Sequence, residues 1–261
     1  MAKRKRKKEA PMVEWLIGLI GISAQMIAYA IYGLLQLIKM IFMAVSVYRS
    51  GYKAKSQNGF FKTFFNKGNR GEFMLYQKLI KIVDKKYVLT NLYLSGKNTT
   101  KTELDIVCLT HQGIYVFEVK NYGGYIFGSE KDEFWTQAFN RFVKHRFYNP
   151  LRQNYAHQKA IASYLNVEDD VILPVVSFSQ RSTLSKINVS QDKHVLNIKD
   201  TIKLVKSNRN HISDKLCLND LNYYLALLEK TTKMDKTTKR QHIEEVKTLI
   251  DDQDKNLVGN A

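Results

Sequence analysis

Hydrophobic positions change their spacing several times along the chain, and each change marks a different kind of element. From Trp15 to Ile38 there are 24 residues without a charge, and the apolar character continues past Lys39 to Val47. A run of about 20 apolar residues is long enough to cross a bilayer core as one helix. Leu75, Leu79 and Val83 then recur at fours, widened by Ile80 and Ile82, and predict an amphipathic helix over about Arg70–Val83. Short runs rich in branched and aromatic residues follow. Tyr87–Leu94 reads as a strand, Ser95–Thr99 as a turn, and Thr102–Leu109 with Gly113–Asn121 as a hairpin. Tyr125–Gly128 predicts another strand. Beyond it, Phe139, Phe142, Val143 and Phe147 are interleaved with Arg141, Lys144, His145 and Arg146.

Asn149-Pro150 is a helix start, because Asn caps and Pro suits the first helical position; the helix runs to about Leu165. Val171–Phe178 reads as a core or edge strand, with Pro174 expected at an end or edge because proline donates no ladder hydrogen bond. His194–Ile198 is a further short strand, and helices at about Thr201–Lys206 and Asn219–Glu229 close the domain. The charged tail contains one helical stretch around Ile243–Ile250. The pattern divides the chain into a flank (1–14), a transmembrane segment (15–47), a basic and aromatic juxtamembrane linker (48–66), an α/β domain (67–230) and a charged tail (231–261).

The anchor has two rivals. Ala28-Tyr29-Ala30 follows a basic stretch and an apolar run, as a signal-peptidase site would, but the apolar run continues far beyond it. A hairpin bent at Gly33 would leave two arms too short for full crossings. The flanks do not decide orientation: Lys3 to Lys8 supply six cations on one side, and Lys39, Arg49, Lys53 and Lys55 four on the other. Tyr52, Phe60, Phe61, Phe64 and Phe65 lie among the lysines of residues 48–66, which suits either a linker at the interface or a surface for nucleic acid.

Candidate chemistry sits in the hairpin. Side chains alternate along a strand, so Glu118 and Lys120 share one face and Asp105 can reach them from the neighbouring strand. Apolar neighbours Ile114, Val116, Phe117 and Val119 imply burial, and buried charges need partners. Two arrangements satisfy this: a Glu118–Lys120 ion pair, or a hard cation held by the oxygens of Asp105 and Glu118 with Lys120 beside it. The acid-x-Lys pattern also occurs at Asp84-Lys85-Lys86 and Glu245-Val246-Lys247, but in polar surroundings. Gln153 and His157, four apart on the helix after Asn149, share a face.

Four blocks in order, Gly68-Asn69-Arg70-Gly71-Glu72, Thr102-Glu103-Leu104-Asp105-Ile106-Val107, Gly113 to Tyr122, and Asn149-Pro150-Leu151-Arg152-Gln153-Asn154, resemble the nuclease-related domain (NERD) family. The resemblance runs from about Lys67 to Asn166 and extends faintly to Lys230. Leu104 stands where the wider PD-(D/E)xK pattern has Pro, a position that supplies no ligand. The resemblance implies a restriction-endonuclease-like α/β fold: a mixed central sheet carrying the Asp105 and Glu118 strands, flanked by the Glu72 and Gln153 helices; the apolar run sets a transmembrane helix before it. It implies phosphodiester hydrolysis, on DNA before RNA, with Mg²⁺ or Mn²⁺ held by Asp105, Glu118, the Val119 carbonyl and Glu72. Lys120 would act on water or phosphate, and Gln153 would orient water or a phosphate oxygen.

Charge narrows the partners. A formal charge of +17 favours a polyanion, either nucleic acid or an anionic membrane surface. Cys108 and Cys217 read as small buried residues, neither having a Cys or His at zinc-ligand spacing. Together these features predict a single-pass membrane protein with its nuclease domain in the cytoplasm. The competing reading is a membrane-tethered nucleic-acid-binding or scaffold protein whose nuclease-like site is idle.

Overall fold

The structure, a computed structural model, describes residues 11–95 and 101–231. The basic cluster at residues 3–8, the turn at 96–99 and the tail with its expected helix at Ile243–Ile250 lie outside the described residues. Helix α1 (Pro11–Arg49) passes through Gly33 without a break, which removes the hairpin alternative. Its side chains from Trp15 to Lys39 are all exposed, so its apolar surface is unmatched by protein. At 1.5 Å per residue the uncharged run alone is about 36 Å long, enough to cross a bilayer core.

The end of α1 is built differently. Val47 is fully buried in the domain core, Met43 packs against that core, and the Tyr76 hydroxyl donates to the Ser50 carbonyl at 2.9 Å. Two short helices follow, α2 (Tyr52–Ser56) and α3 (Phe60–Phe65). Tyr52, Phe60 and Thr63 are buried, and Lys55 Nζ donates to the carbonyls of Lys85 and Val88. The segment expected as a linker is therefore part of the domain wall; its apolar residues are too few to show a helical period, and only packing reveals them.

Helix α4 (Lys67–Leu79) starts three residues before the expected point because Asn66 caps it, accepting from the Asn69 amide. Glu72 consequently sits in the second turn, beyond the reach of a helix-terminal charge. The strands are β1 (Val88–Ser95), β2 (Lys101–Thr110), β3 (Gly113–Lys120), β4 (Gly124–Ser129), β5 (Phe134–Ala138) and β6 (Lys144–Tyr148). After helix α5 (Pro150–Leu165) come β7 (Ile172–Phe178), β8 (Ser182–Asn188) and β9 (His194–Asn197), then α6 (Ile198–His211) and α7 (Leu218–Glu229).

Two mixed sheets result. The first has the order β1-β2-β3-β7-β9, antiparallel from β1 to β3 and parallel from β3 to β9. The second has the order β6-β5-β4-β8, with β4 and β8 parallel. Strand β7 is interior, yet Pro174 fits: the β9 ladder begins only at Val175, so one side of β7 is an edge at the proline. The sheets meet where Ile126 and Trp135 cover Val176 and Phe178; the Trp135 and Phe178 rings stack at 6.3 Å. Cys108 is buried as expected, but Cys217 is exposed at the N-cap of α7, where local capping outweighs its apolar character.

Candidate active site

The β2–β3 ladder carries the site because it stops one residue early. Its register ends at Ile106 opposite Phe117, and the next position would set Asp105 against Glu118. There the Val119 amide donates to Asp105 Oδ2 at 2.8 Å, a side-chain carboxylate taking the place of a backbone carbonyl. Asn91, at φ 54°, breaks the β1 ladder at the same level, since Thr90 and Leu92 pair across it but Asn91 does not. The left-handed conformation is one that Asn tolerates.

Glu118 is buried, and each of its oxygens has a cationic or protic partner. Lys120 Nζ lies 2.7 Å from Oε1 and His157 Nε2 lies 3.0 Å from Oε2. Thr102 Oγ1 meets His157 Nδ1 at 2.8 Å, so the imidazole bridges the two strands' side chains. Lys120 also donates to Gln153 Oε1 at 2.8 Å. Helix α5 is held in place to do this by Asn149, which caps it, and by Asn154, whose amide donates to the Val116 carbonyl at 3.1 Å. On the other helix, Glu72 is reached by the Tyr52 hydroxyl at 3.3 Å. Gly71 lets α4 approach: a Cβ there would lie 2.6 Å from Asn121 Cβ.

The electrostatics divide the carboxylates. Burial raises the Asp105 carboxyl well above its ordinary value, and the charges of Glu118 and Glu72 push it further the same way. Burial would also raise Glu118, but Lys120 and His157 outweigh it and hold Glu118 down at about 2. Lys120 is raised although burial opposes it, because Glu118 and Asp105 favour the ammonium. Two carboxylates with perturbed and opposite tendencies beside a fixed ammonium are the kind of cluster that concentrates at functional sites.

Asp105, Glu118, Lys120, Glu72 and Gln153 are thus joined by contact or by electrostatic influence. Among the described residues, no three Asp, Glu, His or Cys side chains converge tightly enough to enclose a cation as they stand. Glu118 is turned to Lys120 and His157, so a cation would have to share its oxygens with those partners. The donor set nevertheless suits a hard cation: it offers the carboxylates of Asp105, Glu118 and Glu72 beside a single ammonium, and the charges of the other two add to burial in raising Asp105. Sequence reasoning left His157 open and missed Thr102 and Tyr52. The four-residue spacing from Gln153 was the signal for His157; Tyr52 had none, lying in a segment taken for a linker.

Comparison with known proteins bears on the family. Residues 67–179 match the nuclease-related domain, from the start of α4 through the end of β7, and so contain every residue of the cluster except Tyr52. An uncharacterized protein of Bacillus anthracis is 32% identical over 179 residues, covering 68% of this chain and 82% of that protein. The crystal structure of the protein of unknown function AF1548 aligns with 71% of this chain and 98% of its own, at 14% identity and a TM-score of 0.32. By the match over residues 67–179 and its 32% identical relative, the chain belongs to the nuclease-related domain family.

Proposed function

We propose that the protein is a membrane-anchored, metal-dependent nuclease that hydrolyses phosphodiester bonds, in DNA before RNA. The observation that carries this reading is the cluster of Asp105, Glu118 and Lys120 at the open end of the β2–β3 ladder, with Glu72 near enough to raise Asp105. Asp105, Glu118, Glu72 and the Val119 carbonyl would hold Mg²⁺ or Mn²⁺. When bound, such an ion polarises a phosphoryl oxygen and lowers the pKa of attacking water.

The chain's own residues supply the rest. Lys120 keeps its proton at Nζ and stabilises negative charge developing on the phosphate. Gln153 accepts from Lys120 through Oε1, which fixes the ammonium and leaves the Gln153 amino group to donate to substrate oxygen. His157 and Thr102 orient the Glu118 carboxylate. The exposed apolar helix α1 would anchor the domain, in a single pass, on the cytoplasmic side where intact nucleic acid lies.

One observation favours the scaffold reading: both Glu118 oxygens are already engaged within the protein, as in a self-neutralised structural ion pair. Cleavage of supercoiled, linear and single-stranded DNA by the full chain in neutral detergent separates the two. Cutting with Mg²⁺ that stops in EDTA is expected. DNA binding without cutting under either condition would make the protein a tether.

A further inference from the structure

The four-stranded sheet has a dry face and a wet one. Ile126, Trp135 and Phe147 point inward to the small core shared with β7. By strand alternation the opposite face presents Tyr125 and Phe127 from β4, Phe134 and Thr136 from β5, Lys144 and Arg146 from β6. Tyr125 is 50% exposed, and in the β5–β6 loop Phe139 and Phe142 are 52% and 81% exposed. An open depression of about 650 Å³ lies there, lined by Tyr125, Phe127, Thr136, Arg141 and Lys144.

Charge on these strands has one sign. β4, β5, β6 and β8 contain Lys144, Arg146 and Lys186, and no Asp or Glu. The guanidinium of Arg146 lies 4.9 Å from the centre of the Phe134 ring, and that of Arg141 4.9 Å from the centre of Phe142. Rings with cations beside them, on an open sheet, are what unpaired bases and their phosphates need; a duplex hides its base faces and cannot use the rings. An anionic membrane would satisfy the cations and could take Phe139 and Phe142, but Phe127 and Phe134 are half-buried in the sheet and cannot insert.

We propose that this outer face is a docking platform for single-stranded nucleic acid, which delivers the strand to the Asp105–Glu118–Lys120 cluster. The proposal rests on the nuclease reading for its purpose but not for its test. Tyr125 is five residues from Lys120, so their Cα atoms are at most about 18 Å apart. That distance is within reach of a few nucleotides for a strand leaving the platform past Tyr125.

The test is fluorescence anisotropy of a labelled single-stranded oligonucleotide with the full chain in neutral detergent, in EDTA so that no cleavage intervenes. Tyr125→Ala should weaken binding at least about fivefold, the loss expected for one stacked base, while Tyr125→Phe, which keeps the ring, should bind like the wild type. The double variant Lys144→Gln/Arg146→Gln should weaken binding further and flatten the slope of log K against log salt by about 1.4, for two phosphate contacts. Duplex of the same sequence should compete poorly. Thermal unfolding of each variant should match the wild type. Binding by the variants equal to wild type overturns the platform, even if the wild type cuts DNA. Weakened binding by a protein that never cuts sustains the platform and sinks the nuclease. A blue-shifted Phe142→Trp emission in phosphatidylserine nanodiscs relative to neutral ones, with oligonucleotide binding unaffected by the charge variants, assigns the face to lipid and overturns the proposal.

Discussion

At the scale of single residues, Asp105 and Lys120 lie in one cluster but carry opposite electrostatic costs. Asp105 is held at a raised pKa by burial and by Glu118 and Glu72, so its charge destabilises the metal-free fold at neutral pH. Asp105→Asn keeps an oxygen to accept from Val119 and removes that charge. It should leave metal-free stability unchanged or higher by on the order of 1 kcal/mol, while Mg²⁺ binding by calorimetry and cleavage both fall. Lys120→Ala strips Glu118 of its cation, so thermal unfolding should show a loss of about 3 kcal/mol. Cleavage should vanish while Mg²⁺ affinity holds or rises. A pH series tests the same balance. Glu118 is depressed to about 2 in the fold and titrates near 4.5 when unfolded, so the unfolded chain binds more protons between those values. Its contribution to stability is present above about pH 4.5 and is lost as pH falls toward 2. Glu118→Gln lacks this dependence, and the denaturation midpoints of the two proteins should converge on acidification; parallel curves would mean Glu118 is not held low.

Elements show how much the sequence exposes and where it stops. The hairpin β2–β3, helix α5 with its Asn149 cap and strand β7 are legible because dense apolar runs, a capping pair and a shared helix face are local signals. The union of Asp105, Glu118 and Lys120 follows from strand alternation alone. Of the second sheet β4 is legible but its partners are not: β5 and β6 read as basic-aromatic chain, and β8 (Ser182–Asn188) is polar enough to pass for a loop, since only one face of that sheet meets a core. Nor does any local pattern say that Val47 and Tyr52 are core residues; the rings Tyr52 packs against, Phe73 and Tyr76, lie more than 20 residues away on α4. Helix α4 offers a test of how an element positions the site. Gly71 has no room for a Cβ against Asn121, whose side chain also ties α4 to β3 by donating to the Lys67 carbonyl at 2.6 Å. Gly71→Ala should push α4 from β3, cost about 1–3 kcal/mol by thermal unfolding, and reduce cleavage by displacing Glu72. A variant as stable and active as wild type would show that Glu72 needs no fixed distance from Asp105.

For the whole molecule, the question is what surrounds α1 and on which side the domain lies. The uncharged face of α1 is exposed throughout, whereas Val47, nine residues beyond Ile38, is already in the domain core. At 1.5 Å per residue that gap is about 14 Å, so a spanning helix would set the domain close against the headgroups rather than on a slack tether. The positive charge then acts near an anionic surface, and adsorption alone could imitate anchoring. Extraction distinguishes them: the full chain should stay with membranes through carbonate and high salt, both of which release a protein held by charge. Sidedness can be read from the protein's own thiols. Cys217 is exposed at the start of α7 and Cys108 is buried in β2, where burial pushes its thiol up to about 12 and leaves it unreactive. An impermeant maleimide therefore reports on Cys217 alone, and Cys217→Ser is its blank. With the domain in the cytoplasm, intact cells should leave the wild type unlabelled and broken cells should label it. Labelling in intact cells would put the domain outside, where its substrate would have to be extracellular nucleic acid.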